Sequence, residues 1–163
     1  MQTPERMRIV VVRHGIAEPK KGWSGADVER PLVARGRRQA ARLRRIVAPR
    51  GPDRIISSPA RRCQETVQPL AARVGVEVEV SDALATAAGK AAVELCRELL
   101  ETGANGSTVV LCTHRETMEV LIPQLGRHFG RRLPPRIGAK GGAWVLSFGG
   151  GKLRHVEYRG PAA

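Results

Sequence analysis

The run Arg8-Ile-Val-Val-Val-Arg-His-Gly15 constrains this chain more than any other stretch. Ile9 to Val12 are all branched and apolar with no polar residue among them, a pattern that suits a strand covered on both faces, as in the middle of a parallel sheet. Ligands of such sheets gather beyond the carboxyl ends of the strands. Arg13 and His14 arrive at that place, and Gly15 lets the backbone turn away closely with no Cβ in the way.

The rest of the chain alternates strand and helix. A loop from Ile16 to Arg30, with Gly22, Gly25, Pro19 and Lys20-Lys21, stands above the first strand end, where functional loops concentrate. Gly36, Ala40, Leu43 and Val47 recur at helical spacing up to Pro49-Arg-Gly-Pro52, and the arginines between them form a solvated face. Arg54 to Ser58 is a short second strand, after which Ser58 is the expected N-cap and Pro59 the first position of a helix. Cys63, Val67, Leu70, Ala71 and Val74 make that helix's buried stripe, Gly75 ends it, and Arg61 and Arg62 fall in its first turn. Val76 to Val80 alternates as a third strand, and a helix carries Val93, Leu95, Cys96, Leu99 and Leu100. Thr108 to Cys112 is a second strongly apolar strand. It runs into Thr113-His-Arg-Glu116, a capping box that starts a helix at His114, which Pro123 should kink or end. A basic, proline-rich loop spans Arg127 to Arg136, and Ala143 to Phe148 and Leu153 to Tyr158 read as a closing strand pair. The expected fold is a three-layer α/β/α sandwich on a mainly parallel mixed sheet, with the 163 residues forming one domain.

Charge narrows the partner. Twenty-eight lysines and arginines against 15 acidic residues give +13, which favours a phosphorylated or otherwise anionic partner. Trp23, Phe129, Trp144, Phe148 and Tyr158 are too scattered for the stacking platform of a single-strand binder, so nucleic acid is the lesser expectation. Cys63, Cys96 and Cys112 are odd in number and lack C-x-x-C spacing, which predicts neither a disulfide framework nor a zinc site, and fits a reducing cytoplasm. No apolar run approaches the roughly 20 residues that span a bilayer, and the polar Met1 to Met7 does not read as a leader. A soluble cytoplasmic protein is expected.

On this layout three strand-to-helix junctions bring Arg13 and His14, then Arg62, then His114 to one sheet edge. Two arginines and two histidines there make a pocket for a dianionic tetrahedral group, since the guanidinium fork matches phosphoryl oxygens and helix starts add donors. Neighbouring cations disfavour a protonated histidine and leave a ring nitrogen free to attack phosphorus. A backbone carbonyl should fix the tautomer at the other nitrogen.

R-H-G after the first strand, S-S-P-x-x-R-x-x-x-T over Ser57 to Thr66, and T-H at a later strand end, with Arg30-Pro-Leu and Gly36-x-x-Gln-Ala40 between, resemble the ordered motifs of the histidine phosphatase superfamily. The resemblance spans nearly the whole chain and implies a phosphoglycerate mutase-like fold and a cofactor- and metal-independent phosphohydrolase. It makes His14 the phosphorylated nucleophile, Arg13 and Arg62 the holders of phosphoryl oxygens, and His114 the residue that completes the pocket. Gly15 and Arg30 become substrate-binding positions, Arg30 as in the R-P-L element of the small SixA-type phosphohistidine phosphatases. Lys140 to Ser147 further resembles the phosphatase-like C-terminal half of some MutT-type Nudix hydrolases.

Two departures qualify this. Phosphoglycerate mutases and many acid phosphatases of this superfamily carry a glutamate in an L-x-E context as proton donor to the leaving alcohol, where this chain has Leu84-Ala-Thr86. Arg115 replaces the glycine usual after the second histidine. Asp82 is a substitute acid or a turn residue, Glu116 fits the capping box, and Glu18 a solvated loop. The expected substrate is phosphohistidine or another phosphate with a good leaving group, on a small molecule or phosphoprotein. The alternative is a phosphate- or nucleic-acid-binding module with little or no turnover.

Overall fold

The computed structural model describes residues 7–47, 51–133 and 137–161. Its strands are β1 (Met7–Arg13), β2 (Arg54–Ser57), β3 (Val78–Val80), β4 (Thr108–Thr113), β5 (Ala143–Gly149) and β6 (Lys152–Arg159), and its helices α1 (Ala34–Ala41), α2 (Arg61–Val74), α3 (Gly89–Thr102) and α4 (Arg115–His128). The strands form one sheet in the order β3-β2-β4-β1-β5-β6. β3, β2, β4 and β1 are parallel, while β5 and β6 add antiparallel to the far edge.

The unbroken apolar run of β1 has its predicted cause. Ile9 and Val11 pack with Leu111, Met118, Leu121 and Cys96 on the face covered by α3 and α4. Val10 and Val12 pack with Val110, Cys63, Val67 and Leu43 on the face covered by α1 and α2. The result is the three-layer α/β sandwich expected.

Parallel register sets the site. Arg13 pairs with Thr113, so β1 and β4 end level, and β2 ends one residue short of them with Ser57 opposite Cys112. The next residues, His14, Ser58 and His114, therefore stand in a row along one edge. Backbone bonds from His14 N to Thr113 O (3.2 Å) and from Ser58 N to Cys112 O (3.0 Å) tie the row together.

Local signals failed where tertiary contacts claimed their atoms. Ser58 is not an N-cap: α2 begins at Arg61 with Ala60 as its N-cap, and the Ser58 hydroxyl, which accepts from Ala60 N at 3.2 Å, also meets His114 Nε2 at 2.8 Å. The capping box at Thr113 does not form either. Thr113 Oγ1 donates to Leu84 O at 2.6 Å, and α4 starts one residue later than expected with His114 as its N-cap. Pro123 lies inside α4 without ending it. The ring removes one backbone donor, but Leu121, Ile122 and Leu125 bury α4 on both sides of it. α1 ends at Ala41 and continues as a tighter 3-10 turn, Leu43–Arg45, whose three-residue repeat still carries Leu43 and Ile46 into the core. β3 is two residues shorter at its start than the sequence pattern suggested. The expected helix end at Pro49 and Arg50, the loop residues Pro134 to Arg136 and the polar segment before Met7 lie outside the described residues.

Candidate active site

A cavity of about 270 Å³ opens over the carboxyl ends of β1 and β4, and Arg13, His14, Arg30, Arg62 and His114 all line it. The two histidine rings meet edge to face, 5.5 Å apart. Gly15 lies just behind them. Its N–H donates to Thr66 Oγ1 at 2.9 Å, and a Cβ there would come within 3.2 Å of the Gly36 carbonyl. A Cβ on Gly36 would stand only 2.0 Å from Ile16 O, so that glycine sets how closely α1 approaches the loop after His14. Gln39 closes the same corner by accepting from Ile16 N at 2.9 Å.

His14 Nδ1 lies 2.8 Å from the Gly15 carbonyl. A carbonyl only accepts, so Nδ1 carries the proton and Nε2 keeps its lone pair. Burial, together with the charges of Arg62 and Arg13, holds this imidazole down to about 3 against the hydrogen bond to Gly15. His14 is thus neutral throughout the physiological range. Its ring is expected to show no titration between pH 5 and 8 by NMR, whereas a surface histidine would titrate near 6.5. A midpoint inside that window would contradict the burial argument. The unfolded chain protonates this histidine below about 6.5 and the folded one only near 3, so its contribution falls as pH drops through that interval.

His114 is fixed from both sides. Arg62 Nη2, which can only donate, lies 3.2 Å from Nδ1, so the ring proton sits on Nε2 and points to Ser58 Oγ, with Cys63 Sγ 3.6 Å away. Arg62 is 3% exposed and is also gripped by Asp27, through the backbone carbonyl at 2.9 Å and Oδ2 at 3.1 Å. Asp27 in turn binds Arg30 Nε at 2.9 Å, while Arg30 Nη1 donates to Glu18 O at 2.6 Å. Burial would raise the Asp27 carboxyl, but Arg30 and Arg62 outweigh it and hold it below the usual range. Burial and the nearby Arg115 charge lower the Arg13 guanidinium. Arg13 Nη1 donates to Gly138 O at 2.8 Å. The Nε–H groups of Arg13 and Arg62 are buried with no acceptor among the described residues.

Adjacent arginines in α2 are used differently. Arg61 points outward and pairs with Glu65 at 3.1 Å, about 100° around the helix from Arg62. Arg62→Ala is expected to lower kcat/KM by roughly ten- to a hundredfold, since a charge-assisted contact is worth about 1.5–3 kcal/mol. Arg61→Ala removes only an exposed pair worth about 0–1 kcal/mol. Steady-state kinetics on both variants decide the matter, and a larger loss for Arg61→Ala would contradict the assignment.

Sequence reasoning missed several contributors. Asp27 sits in a 3-10 turn, Asp27–Glu29, and nothing local marks its reach to Arg62. Thr86 lines the cavity, as the L-x-E comparison requires, whereas exposed Asp82 is not among the lining residues. Glu116, released from the unformed capping box, and Glu18 do line it. Another cavity, of about 380 Å³ and lined by Met7, Phe129 and Phe148, lies at the opposite strand ends and holds none of these groups. Among the described residues no helix is long and apolar enough to cross a membrane.

Known proteins resemble this chain in sequence and fold to differing extents. The family model for the histidine phosphatase superfamily (branch 1) matches residues 9–92. An 8-oxo-(d)GTP phosphatase of Mycolicibacterium smegmatis is 30% identical over 154 residues, which is 94% of this chain and 48% of that protein. The chain thus spans about half the length of this curated relative. A mycobacterial glucosyl-3-phosphoglycerate phosphatase has the same fold, with a TM-score of 0.73 at 20% identity over 97% of this chain and 100% of that one. A protein from Nakamurella multipartitia assigned as a phosphohistidine phosphatase SixA gives 0.70 at 25% identity over 99% and 100%.

Proposed function

Because the chain belongs to the histidine phosphatase superfamily, we propose that it is a phosphohydrolase working through a phosphohistidine at His14, on phosphoryl groups with good leaving groups. One arrangement carries this reading: a buried, neutral His14 with Nε2 unprotonated, beside two arginines whose buried Nε–H groups have no acceptor among the described residues. An unsatisfied buried donor costs about 1–3 kcal/mol. Phosphoryl oxygens would satisfy both and gain from donors already in place.

In the first step His14 Nε2 attacks phosphorus and the leaving group departs with the electron pair of the broken bond. Arg13 and Arg62 balance the charge on the transferring oxygens, and His114, held between Arg62 and Ser58, completes the wall beside them. In the second step water attacks the phosphohistidine, releasing inorganic phosphate and restoring the neutral ring. The Gly15 carbonyl holds the Nδ1 proton through both steps and so keeps the same nitrogen reactive. Arginine charge meets the phosphoryl group without a metal ion, so turnover should survive a chelator. The test is phosphate release from an aryl phosphate, a phosphohistidine peptide and a nucleoside diphosphate, each with and without chelator, together with trapping of acid-labile phosphate on the protein. Tight phosphate binding with no release from any of them would favour a binding module on the same fold.

A further inference from the structure

The cavity holds more positive charge than one phosphoryl group needs. Six lysine and arginine side chains line it against three carboxylates, Glu18, Asp27 and Glu116. Asp27 is engaged by Arg30 and Arg62. Its volume of about 270 Å³ is several times the roughly 30 Å³ a water occupies in the liquid, which leaves room beside the transferring group. Lys20, Arg115 and Lys140 line the same cavity.

These three come from separate segments. Lys140 is held against the end of β1 by its neighbours: Gly141 N donates to Arg13 O and His14 O at 3.0 and 3.1 Å, and the Lys140 carbonyl accepts from Gln39 Nε2 at 3.1 Å. Gly141 needs its φ of +84° for this path, and a Cβ there would meet Gln39 at 2.9 Å. Lys20 is brought over by the bridge between Ala17 and Leu32 and by a turn in which Trp23 N donates to Lys20 O at 3.2 Å. Arg115 opens α4, makes only an exposed pair with Glu119, and is close enough to Arg13 to oppose its charge. Neither lysine makes an ion pair among the described residues.

We propose that Lys20, Arg115 and Lys140 form a second anion subsite that takes the leaving group, and that the preferred substrate is a phosphoanhydride whose leaving group is itself a phosphate. This rests on His14 as the nucleophile. Its Nε2 lone pair bonds to the terminal phosphorus, and the bond from that phosphorus to the bridging oxygen breaks with its electron pair remaining on the oxygen. Water then attacks the phosphohistidine, phosphate is released and one proton passes to solvent. Charge that builds on the bridging oxygen would be met by these cations, whose electrostatic stabilisation then acts on the transition state. A phosphohistidine substrate releases a neutral imidazole and gains nothing from such a rim.

The probes are inorganic triphosphate, phosphoramidate and para-nitrophenyl phosphate. Wild-type kcat/KM should be at least tenfold higher for triphosphate than for phosphoramidate. The Lys20→Ala/Lys140→Ala variant should lose tenfold or more on triphosphate and less than threefold on phosphoramidate. Equal losses on both, or none on triphosphate, would overturn the subsite. Hydrolysis of the aryl ester and phosphoramidate without preference for triphosphate would overturn it too and leave the phosphohydrolase reading standing. Binding separates the two ideas if nothing is turned over. By calorimetry, triphosphate should bind the His14→Ala protein at least tenfold more tightly than the protein carrying His14→Ala, Lys20→Ala and Lys140→Ala. Equal affinities would sink the subsite whatever the activity.

Discussion

Replacing His14 by alanine is expected to reduce phosphate release by on the order of 10⁴-fold or more, the scale seen when a covalent nucleophile is removed, while leaving the fold intact. The loss is large because no neighbour can substitute. His114 Nδ1 faces Arg62 and its other nitrogen is bound to Ser58, so it offers no free lone pair to phosphorus. The fold should survive because His14 follows the last residue of β1 and its ring makes one hydrogen bond, to the adjacent carbonyl, worth about 0.5–1.5 kcal/mol. The variant also no longer has to bury an imidazole held far below its usual range. The measurements are a thermal melt, phosphate release, and labelling with radioactive substrate followed by acid and alkaline washes. Acid-labile label should appear on the wild type only. Equal labelling of His14→Ala would move the nucleophile elsewhere.

What the sequence made legible was whatever depends on burial and order. Ile9 to Val12 and Val109 to Cys112 are apolar on both faces because helices cover both faces, and that pattern needs no tertiary knowledge to read. Cys63, Val67, Leu70 and Ala71 are the buried stripe of α2, and the same periodicity turns Arg62 inward and Arg61 out. Once the strands are parallel and level, residues that follow them become neighbours, which is why His14 and His114 could be brought together from spacing alone. What stayed illegible are contacts that override a local rule. Ser58 and Thr113 have the sequence of helix caps, yet neither is the N-cap of the helix that follows, and a histidine ring and a distant carbonyl engage their hydroxyls. The reach of Asp27 to Arg62 crosses 35 residues, and the bond from Gln39 to Lys140 crosses 101. Neither leaves a trace in composition or period.

The cavity's carboxylates set the last expectation, a strong preference by leaving group. Sugar and serine alkoxides need a proton as they depart, and a placed acid contributes roughly 10²–10⁴-fold. Thr86 lines the cavity where a glutamate would deliver that proton, while Asp82 is not among the lining residues. Asp27 is held ionised by Arg30 and Arg62, so it cannot donate near neutral pH. On the wild type, kcat/KM for a phosphohistidine peptide or an aryl phosphate should therefore exceed that for a sugar phosphate by about 10²–10⁴-fold. Thr86→Glu should narrow the gap by raising turnover of the alkyl ester alone. Glu18 and Glu116 make the comparison discriminating, since both reach the cavity. If the sugar phosphate were cleaved as well as the others, one of these two would be acting as the acid, and Glu116→Gln and Glu18→Gln would show which by abolishing alkyl-ester hydrolysis while sparing the aryl ester. A wild-type preference that Glu116→Gln leaves unchanged would instead place Glu116 among the groups that balance Arg13 and Arg115, with no part in proton transfer.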